Sequence, residues 1–504
     1  MKKILLFGAG KSATVLIDYL LRHSLAENWI LTVVDADLEL ASSKIGNAIG
    51  GKAVSFDINN AKERNNFIEG ADIVISLLPP TLHFLVAKDC ITYKKNLLTA
   101  SYVDEQMKSL QQDIEKNGLL FLCEMGLDPG IDHMSAKKMV DEIQAEGGKI
   151  TSFLSHCGGL VAPESDDNPW RYKISWNPRN VVMAGKAGAT FKQSGEMITM
   201  PYEQLFSEKR FVAIPGGEPL CWYPNRDSLS YTSVYGMEDC PTFIRTTLRH
   251  PDFIYGWKNI IDLELTDEEK IYETNGKKLA DFFQEHMQKH GFQDWLQQKM
   301  QEQFQFSKKI LEDLVNLVGM EGKADQSGNE KIEEFMLVNE KGSLEEFDMD
   351  DLKNNAAATV AEKMHEAKLT LKQLFFLGMD DNQTEINKGL CSAADVLQLA
   401  LEKKLALLPG DKDMVVMVHE IEYDLDEKAH KRISSLIIKG VNDQHTAMAK
   451  TVGLPLGIAA KLILDETITM KGLHIPIHKD IYEPVLIELT KNGISFEEKD
   501  TSVL

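Results

Sequence analysis

Over the first quarter of the chain, short apolar runs alternate with amphipathic stretches. Residues 4–7, 31–35, 53–56, 73–78, 96–100 and 119–122 have the length and composition of buried strands. Between them, Val15, Leu16, Tyr19, Leu20 and Leu21 recur at helical spacing, and helical runs cover 83–93 and 105–116. This alternation predicts an α/β fold built on a doubly wound parallel sheet. Crossovers are almost always right-handed, so all six strand ends open toward one edge, where such sheets bind ligands.

From about residue 146 the pattern changes. Residues 149–156 read as a strand ahead of Cys157-Gly158-Gly159, and strands recur to about 249 and again at 415–423 and 433–439. This is an α+β pattern with much antiparallel sheet. Residues 260–407 are strongly helical and acidic. Thr266/Glu269 and Ser343/Glu346 have the spacing of capping boxes, and 330–351 reads as a solvated face or a mobile segment. Residues 447–465 form a long apolar helical run interrupted by Gly453, Pro455 and Gly457, which has to be buried, with the first domain as the expected partner. The resulting partition is a dinucleotide-binding domain at 1–130, with 441–504 packing back on it, then a substrate and dimerisation domain at 131–260 and 408–440, and an inserted all-helical domain at 261–407.

Charge and cysteine usage narrow the class. A net charge of −22 argues against nucleic-acid and anionic-membrane partners. The six cysteines are scattered with no C-x-x-C pair, so no metal site or disulfide framework is expected. Free thiols without a signal peptide suggest the cytoplasm. No stretch approaches the length of a membrane span.

Two stretches carry candidate chemistry. Gly8-Ala9-Gly10-Lys11-Ser12-Ala13 lies between a strand and a helix, which is the G-x-G-x-x-A form of the dinucleotide fingerprint. Gly8 permits the turn, Gly10 lets N–H groups approach a pyrophosphate, and Ala13 allows close helix packing. Asp35 ends the second strand, where a carboxylate bonds ribose hydroxyls and repels a 2′-phosphate, so NAD is favoured over NADP; Asp35 or Asp37 could instead simply open the next helix. The second stretch is Leu127-Asp128-Pro129-Gly130-Ile131-Asp132-His133. Asp-Pro-Gly is by itself a tight turn, with Asp132 as the expected helix N-cap. Asp128 nevertheless follows the sixth strand, so it and Ser101-Tyr102 face the same cleft as the glycine loop.

Longer motifs resemble the saccharopine dehydrogenases, in their glutamate-forming branch: Ser101-Tyr102-Val103, residues 124–133, Cys157-Gly158-Gly159-Leu160, Ala162-Pro163-Glu164-Ser165, Asp167-Asn168-Pro169, Ser175-Trp176, Pro224-Asn225-Arg226-Asp227, Thr247-Leu248-Arg249 and residues 447–455 and 472–486. The resemblance covers nearly the whole chain and is weakest over 262–410. It implies a variant Rossmann domain, a mixed α/β substrate domain with a helical insert, and a homodimer. The implied reaction is oxidative cleavage of saccharopine to glutamate and 2-aminoadipate semialdehyde, or its reverse, with NAD or NADP. By motif, Ser101, Tyr102, Asp128, Arg226, Thr247, Leu248 and Arg249 contact substrate. Lys11, Ser12, Ala13, Asp35, Asp57, Ile58, Leu78, Ala100, Ser101, Leu127, Asp128, Pro129 and Ser175 join Gly8 and Gly10 around the cofactor. Asp128, Tyr102 and Cys157 are the candidates for proton transfer, Asp128 with a bound water being favoured; His133 reads as a helix-start residue. The competing readings are an imine-reducing enzyme for a carboxyspermidine- or opine-type substrate, and a non-catalytic NAD-binding protein.

Overall fold

Residues 1–326, 334–338 and 344–502 are described by the structure, a computed structural model. The chain divides into two compact units, one of residues 1–167, 171–251 and 405–504, the other of 168–170 and 252–404.

In the first unit the six expected strands are β1 (Lys2–Phe7), β2 (Trp29–Asp35), β3 (Gly51–Ser55), β4 (Ile73–Ser76), β5 (Asn96–Thr99) and β6 (Leu120–Leu122). All pair in parallel, in the order β3-β2-β1-β4-β5-β6. Successive side chains on a strand point to opposite faces. Ile4 and Leu6 therefore enter one core while Leu5 and Phe7 enter the other, which is why β1 is apolar without alternation. The expected helix at 105–116 is two short ones, Glu105–Lys108 and Gln111–Lys116.

A second, mixed sheet contains β7 (Lys149–Val161), β8 (Ala189–Gln193), β9 (Glu196–Met200), β10 (Arg210–Val212), β11 (Leu220–Pro224), β12 (Arg226–Asp227) and β13 (Thr242–Arg249). β7 is longer than its pattern suggested and runs on through Cys157-Gly158-Gly159. A Cβ at Gly158 would stand 2.7 Å from Leu248, so glycine there permits close approach rather than ending the strand.

The second unit carries helices Leu279–Lys289, Trp295–Gln326, Met349–Phe376 and Ala393–Lys404. It is not all-helical: β14 (Tyr272–Glu273) pairs with β17 (Leu390–Cys391), and β15 (Glu334–Val338) with β16 (Leu344–Asp348). Neither capping box is observed. No helix starts at Thr266, Glu346 lies in β16, and Ser343 is outside the described residues, as are 330–333 and 339–343 of the acidic stretch.

The chain then returns to the first unit. The hairpin β18 (Asp413–Leu425) and β19 (Lys428–Lys439) completes the mixed sheet with the edge strand β21 (Glu497–Ser502), giving the order β10-β11-β13-β7-β18-β19-β21. β20 (Gly472–His474) adds a seventh strand beside β6. The helix Ala447–Leu464 packs on Thr14–Ser24: a Cβ at Gly453 would lie 2.9 Å from the Leu16 nitrogen, and one at Gly457 would lie 2.7 Å from Tyr19. Contrary to the expectation from sequence, this described helix is long and apolar enough to cross a membrane; 78% of it is buried inside the protein, as in a core helix.

Candidate active site

The glycine loop has the backbone that its sequence requires. Gly8 has φ +99, and a Cβ there would stand 2.9 Å from the Leu77 carbonyl oxygen. A Cβ at Gly10 would meet nothing within 4 Å, so the space over the loop is open where a pyrophosphate would lie. Lys11–Ala13 is one turn of 3-10 helix leading into Thr14–Ser24, with Ala13 buried and Lys11 exposed. Asp35 accepts from Ala9 N–H (2.7 Å) and Asp37 N–H (3.0 Å), so it holds the loop, while Asp37 caps the next helix through Leu40 N–H. Lys44 Nζ donates to Gly10 O (2.6 Å) and Thr14 Oγ1 (2.8 Å). Asp57 and Ile58 follow β3, Leu78 follows β4, Ala100 follows β5, and Leu127 to Pro129 follow β6. The strand order therefore puts all of them on one carboxyl edge. These residues fit a dinucleotide. Ser175 is buried instead, and its hydroxyl is taken by Asp413 of β18, whose carboxylate also accepts from the N–H groups of Ala447 and Met448.

At the β6 end, Asp128 lies within a cluster of opposed charges. Arg245 Nη2 donates to Asp128 Oδ1 (2.6 Å) and to Asp132 Oδ2 (2.6 Å), and Tyr102 OH lies 3.4 Å from Asp128 Oδ1. The Arg226 guanidinium carbon stands 5.3 Å from the Tyr102 ring centre. Arg226 is exposed, and among the described residues no carboxylate pairs with it. Tyr102 thus touches both, Asp128 through its hydroxyl and Arg226 through its ring. Burial and the Asp132 carboxylate push the Asp128 carboxyl up to about 6, against Arg245, His133 and Tyr102. Burial also pulls Asp132 upward, but His133, Arg245 and Gly130 N–H hold it below the usual carboxylate range.

Several expected roles change. Asp132 is not the N-cap: the helix Ile131–Ala145 starts one residue earlier, and Asp132 turns inward to Arg245 and Gly130 N–H. Burial, then Asp128 and Asp132, raise the Cys157 thiol well above its ordinary value, so it is a neutral packing group and not a thiolate. Leu248 is fully buried in the core with Leu160, Val212 and Val418, opposite Arg245, Thr247 and Arg249 on β13. Arg249 is buried beneath Tyr172, its guanidinium carbon 5.1 Å from the ring. Ser101 Oγ bonds His83 Nε2 (2.8 Å), whose Nδ1 bonds Ser76 Oγ (2.8 Å); burial pushes His83 down to about 4, so the ring stays neutral. His133 is fully buried between Glu124 and Tyr235.

Arg245, Glu124, Tyr231 and His83 are site residues that do not stand out in the sequence. Arg245 left a signal: a guanidinium in the middle of Thr242-Phe-Ile-Arg-Thr-Thr-Leu-Arg249 has to find buried carboxylates.

Comparison with known proteins identifies the family. Residues 4–122 match the saccharopine dehydrogenase NADP binding domain, and residues 126–494 match the saccharopine dehydrogenase C-terminal domain. The chain is 32% identical over 506 residues to the saccharopine dehydrogenase [NADP(+), L-glutamate-forming] of Schizosaccharomyces pombe, covering 99% of each. It is 32% identical to the mitochondrial alpha-aminoadipic semialdehyde synthase of Bos taurus, covering 99% of this chain and 48% of that longer one. Apo saccharopine dehydrogenase (L-Glu forming) from Saccharomyces cerevisiae superposes with a TM-score of 0.77 at 28% identity, covering 99% of this chain and 100% of that one.

Proposed function

The chain belongs to the saccharopine dehydrogenase family, and on that premise we propose how its residues serve an NAD(P)-dependent oxidoreductase of lysine metabolism that cleaves saccharopine to L-glutamate and 2-aminoadipate 6-semialdehyde, or runs the reverse. The observation that carries this reading is Asp128 on the carboxyl edge of the nucleotide-binding sheet, beside Tyr102, whose ring also lies against the exposed Arg226. Saccharopine is a secondary amine with three carboxylates. Its nitrogen has to be neutral before hydride leaves the adjacent carbon, and water then adds to the imine. Asp128, ionised above about pH 6, takes the amine proton and later exchanges protons with that water and the departing amine. Tyr102 orients the nitrogen beside Asp128, and Arg245 is the fixed counter-ion. Arg226 clamps a substrate carboxylate. A nicotinamide bound on the glycine loop would supply the hydride acceptor. The test is formation of reduced cofactor on adding saccharopine, with glutamate appearing in equal amount; absence of turnover with both NAD and NADP would remove the assignment.

The NADP(+) in the relatives' names does not extend to the residues at the end of β2. Asp35 is fixed under the loop by two N–H groups, Asp37 stands beside it, and no Lys or Arg occurs between Asp35 and Leu38. We therefore expect a higher kcat/KM with NAD than with NADP, and Asp35→Ser should shift that ratio toward NADP by roughly tenfold or more, the effect of removing one charged contact. An unchanged ratio would contradict the assignment of Asp35. The same reading carries the expectation of a cytoplasmic homodimer, to be checked by sedimentation.

A further inference from the structure

Glu124 has no part in the reaction as described above, yet it is held in an uncommon conformation. It follows β6 with φ +56, a left-handed backbone in a residue other than glycine, and it is 3% exposed. A carboxylate so buried needs partners, and every partner here leads to the site. Oε1 accepts from the N–H of Val103, the residue after Tyr102 (3.0 Å). Oε2 accepts from Tyr231 OH (3.1 Å) and lies 2.8 Å from His133 Nε2. The Tyr231 ring lies against Arg245, whose guanidinium carbon is 4.4 Å from the ring centre, and His133 stacks on the same ring at 5.1 Å. His133 is fixed in turn by Tyr235 OH at 2.6 Å.

We propose that Glu124 is a positioning residue for the reaction: one carboxylate fixes Tyr102 through Val103 and fixes Arg245 through Tyr231, so that both stay against Asp128. The proposal rests on Asp128 as the proton-transfer group. Asp128 is faced by Tyr102, Asp132, His133, Arg245, Tyr235 and Cys157. Of these, Arg245 and His133 lie against the Tyr231 ring, and Arg245 is the one bonded to Asp128.

Two variants test it. Tyr231→Phe removes only the hydroxyl that Glu124 holds, and Glu124→Gln keeps the shape of the hub. Both should lower kcat by roughly tenfold, as expected of small misplacements in a site, with NADH affinity unchanged by fluorescence titration. Both should also move the acid limb of kcat/KM to higher pH, because a loosened Arg245 favours the ionised Asp128 less. Wild-type kcat and acid limb in Tyr231→Phe, whatever its thermal stability, would overturn the proposal and leave Glu124 a fold-holding group. Asp128→Asn, measured beside them, separates the two levels. Activity retained there removes the base assignment and the proposal with it, whereas an inactive Asp128→Asn beside a wild-type-like Tyr231→Phe overturns the positioning role alone.

Discussion

Asp128 keeps its charge against its surroundings. Burial and Asp132 oppose ionisation, Arg245 favours it, and the balance leaves the carboxyl near 6. Above that pH the group is a base; below it the group is protonated and cannot accept the amine proton. The kcat/KM for saccharopine oxidation should therefore fall on the acid side with an apparent limb near pH 6, and Asp128→Asn should lose roughly 100-fold or more, the range of general-base catalysis. A profile flat through that region, or an active Asp128→Asn, would exclude the role. Arg226 makes a different prediction. Its exposed guanidinium has no carboxylate partner among the described residues, so Arg226→Ala should raise KM for saccharopine roughly tenfold or more with little loss of stability. Asp128 was readable in the sequence because its polar turn follows the sixth apolar run, and Arg226 through the motif around it. Arg245 and Glu124 were not, because their partners lie 117 residues away in one case and 107 in the other.

At the scale of elements, glycines separate two kinds of contact. Gly10 faces open space, and Gly453 faces the backbone of the helix Thr14–Ser24. Gly10→Ala should leave the thermal midpoint unchanged while weakening cofactor binding, because its methyl would enter the pyrophosphate cradle. Gly453→Ala should instead destabilise by about 1–3 kcal/mol, the usual cost of overpacking a core. Calorimetry and cofactor titration on both variants check this, and equal midpoints would contradict the packing account. The parallel strands were legible because each is a short apolar run between helical periods. The end of β7 was not, since Gly158 and Gly159 imitate a strand stop while serving a close approach. The capping boxes failed because spacing alone does not make the backbone at Thr266 or Glu346 helical.

For the whole molecule, buried histidines set the response to acid. Burial lowers His83 to about 4, His156 to about 3 and His419 to about 4, from an ordinary value near 6.5. The unfolded chain therefore binds these protons more readily than the folded one, and stability present above about pH 6.5 is lost as pH falls toward 4. Asp128, with a raised folded value, acts in the opposite sense between about pH 4 and 6, and burial raises Asp413 in the same way, but these are two groups against three. The thermal midpoint should fall steadily from pH 7 to 4.5; a flat midpoint would show that these rings do not remain neutral in the fold. The α/β class and the nicotinamide-linked chemistry were legible across the chain because strand, glycine loop and helix occur in a fixed order. The mixed sheet was legible only coarsely, since its pairings join residues hundreds of positions apart, as in β7 with β18.

On this mechanism, one pocket at the carboxyl edge of the first sheet holds the reacting amine between Asp128 and Arg226. A crystal structure with oxidised cofactor and saccharopine bound tests it most directly. The amine nitrogen should lie within hydrogen-bond reach of Asp128, directly or through one water, with a substrate carboxylate on Arg226. Saccharopine bound elsewhere, with Asp128 still enclosed by Tyr102 and Arg245 and touching nothing of the substrate, would contradict it.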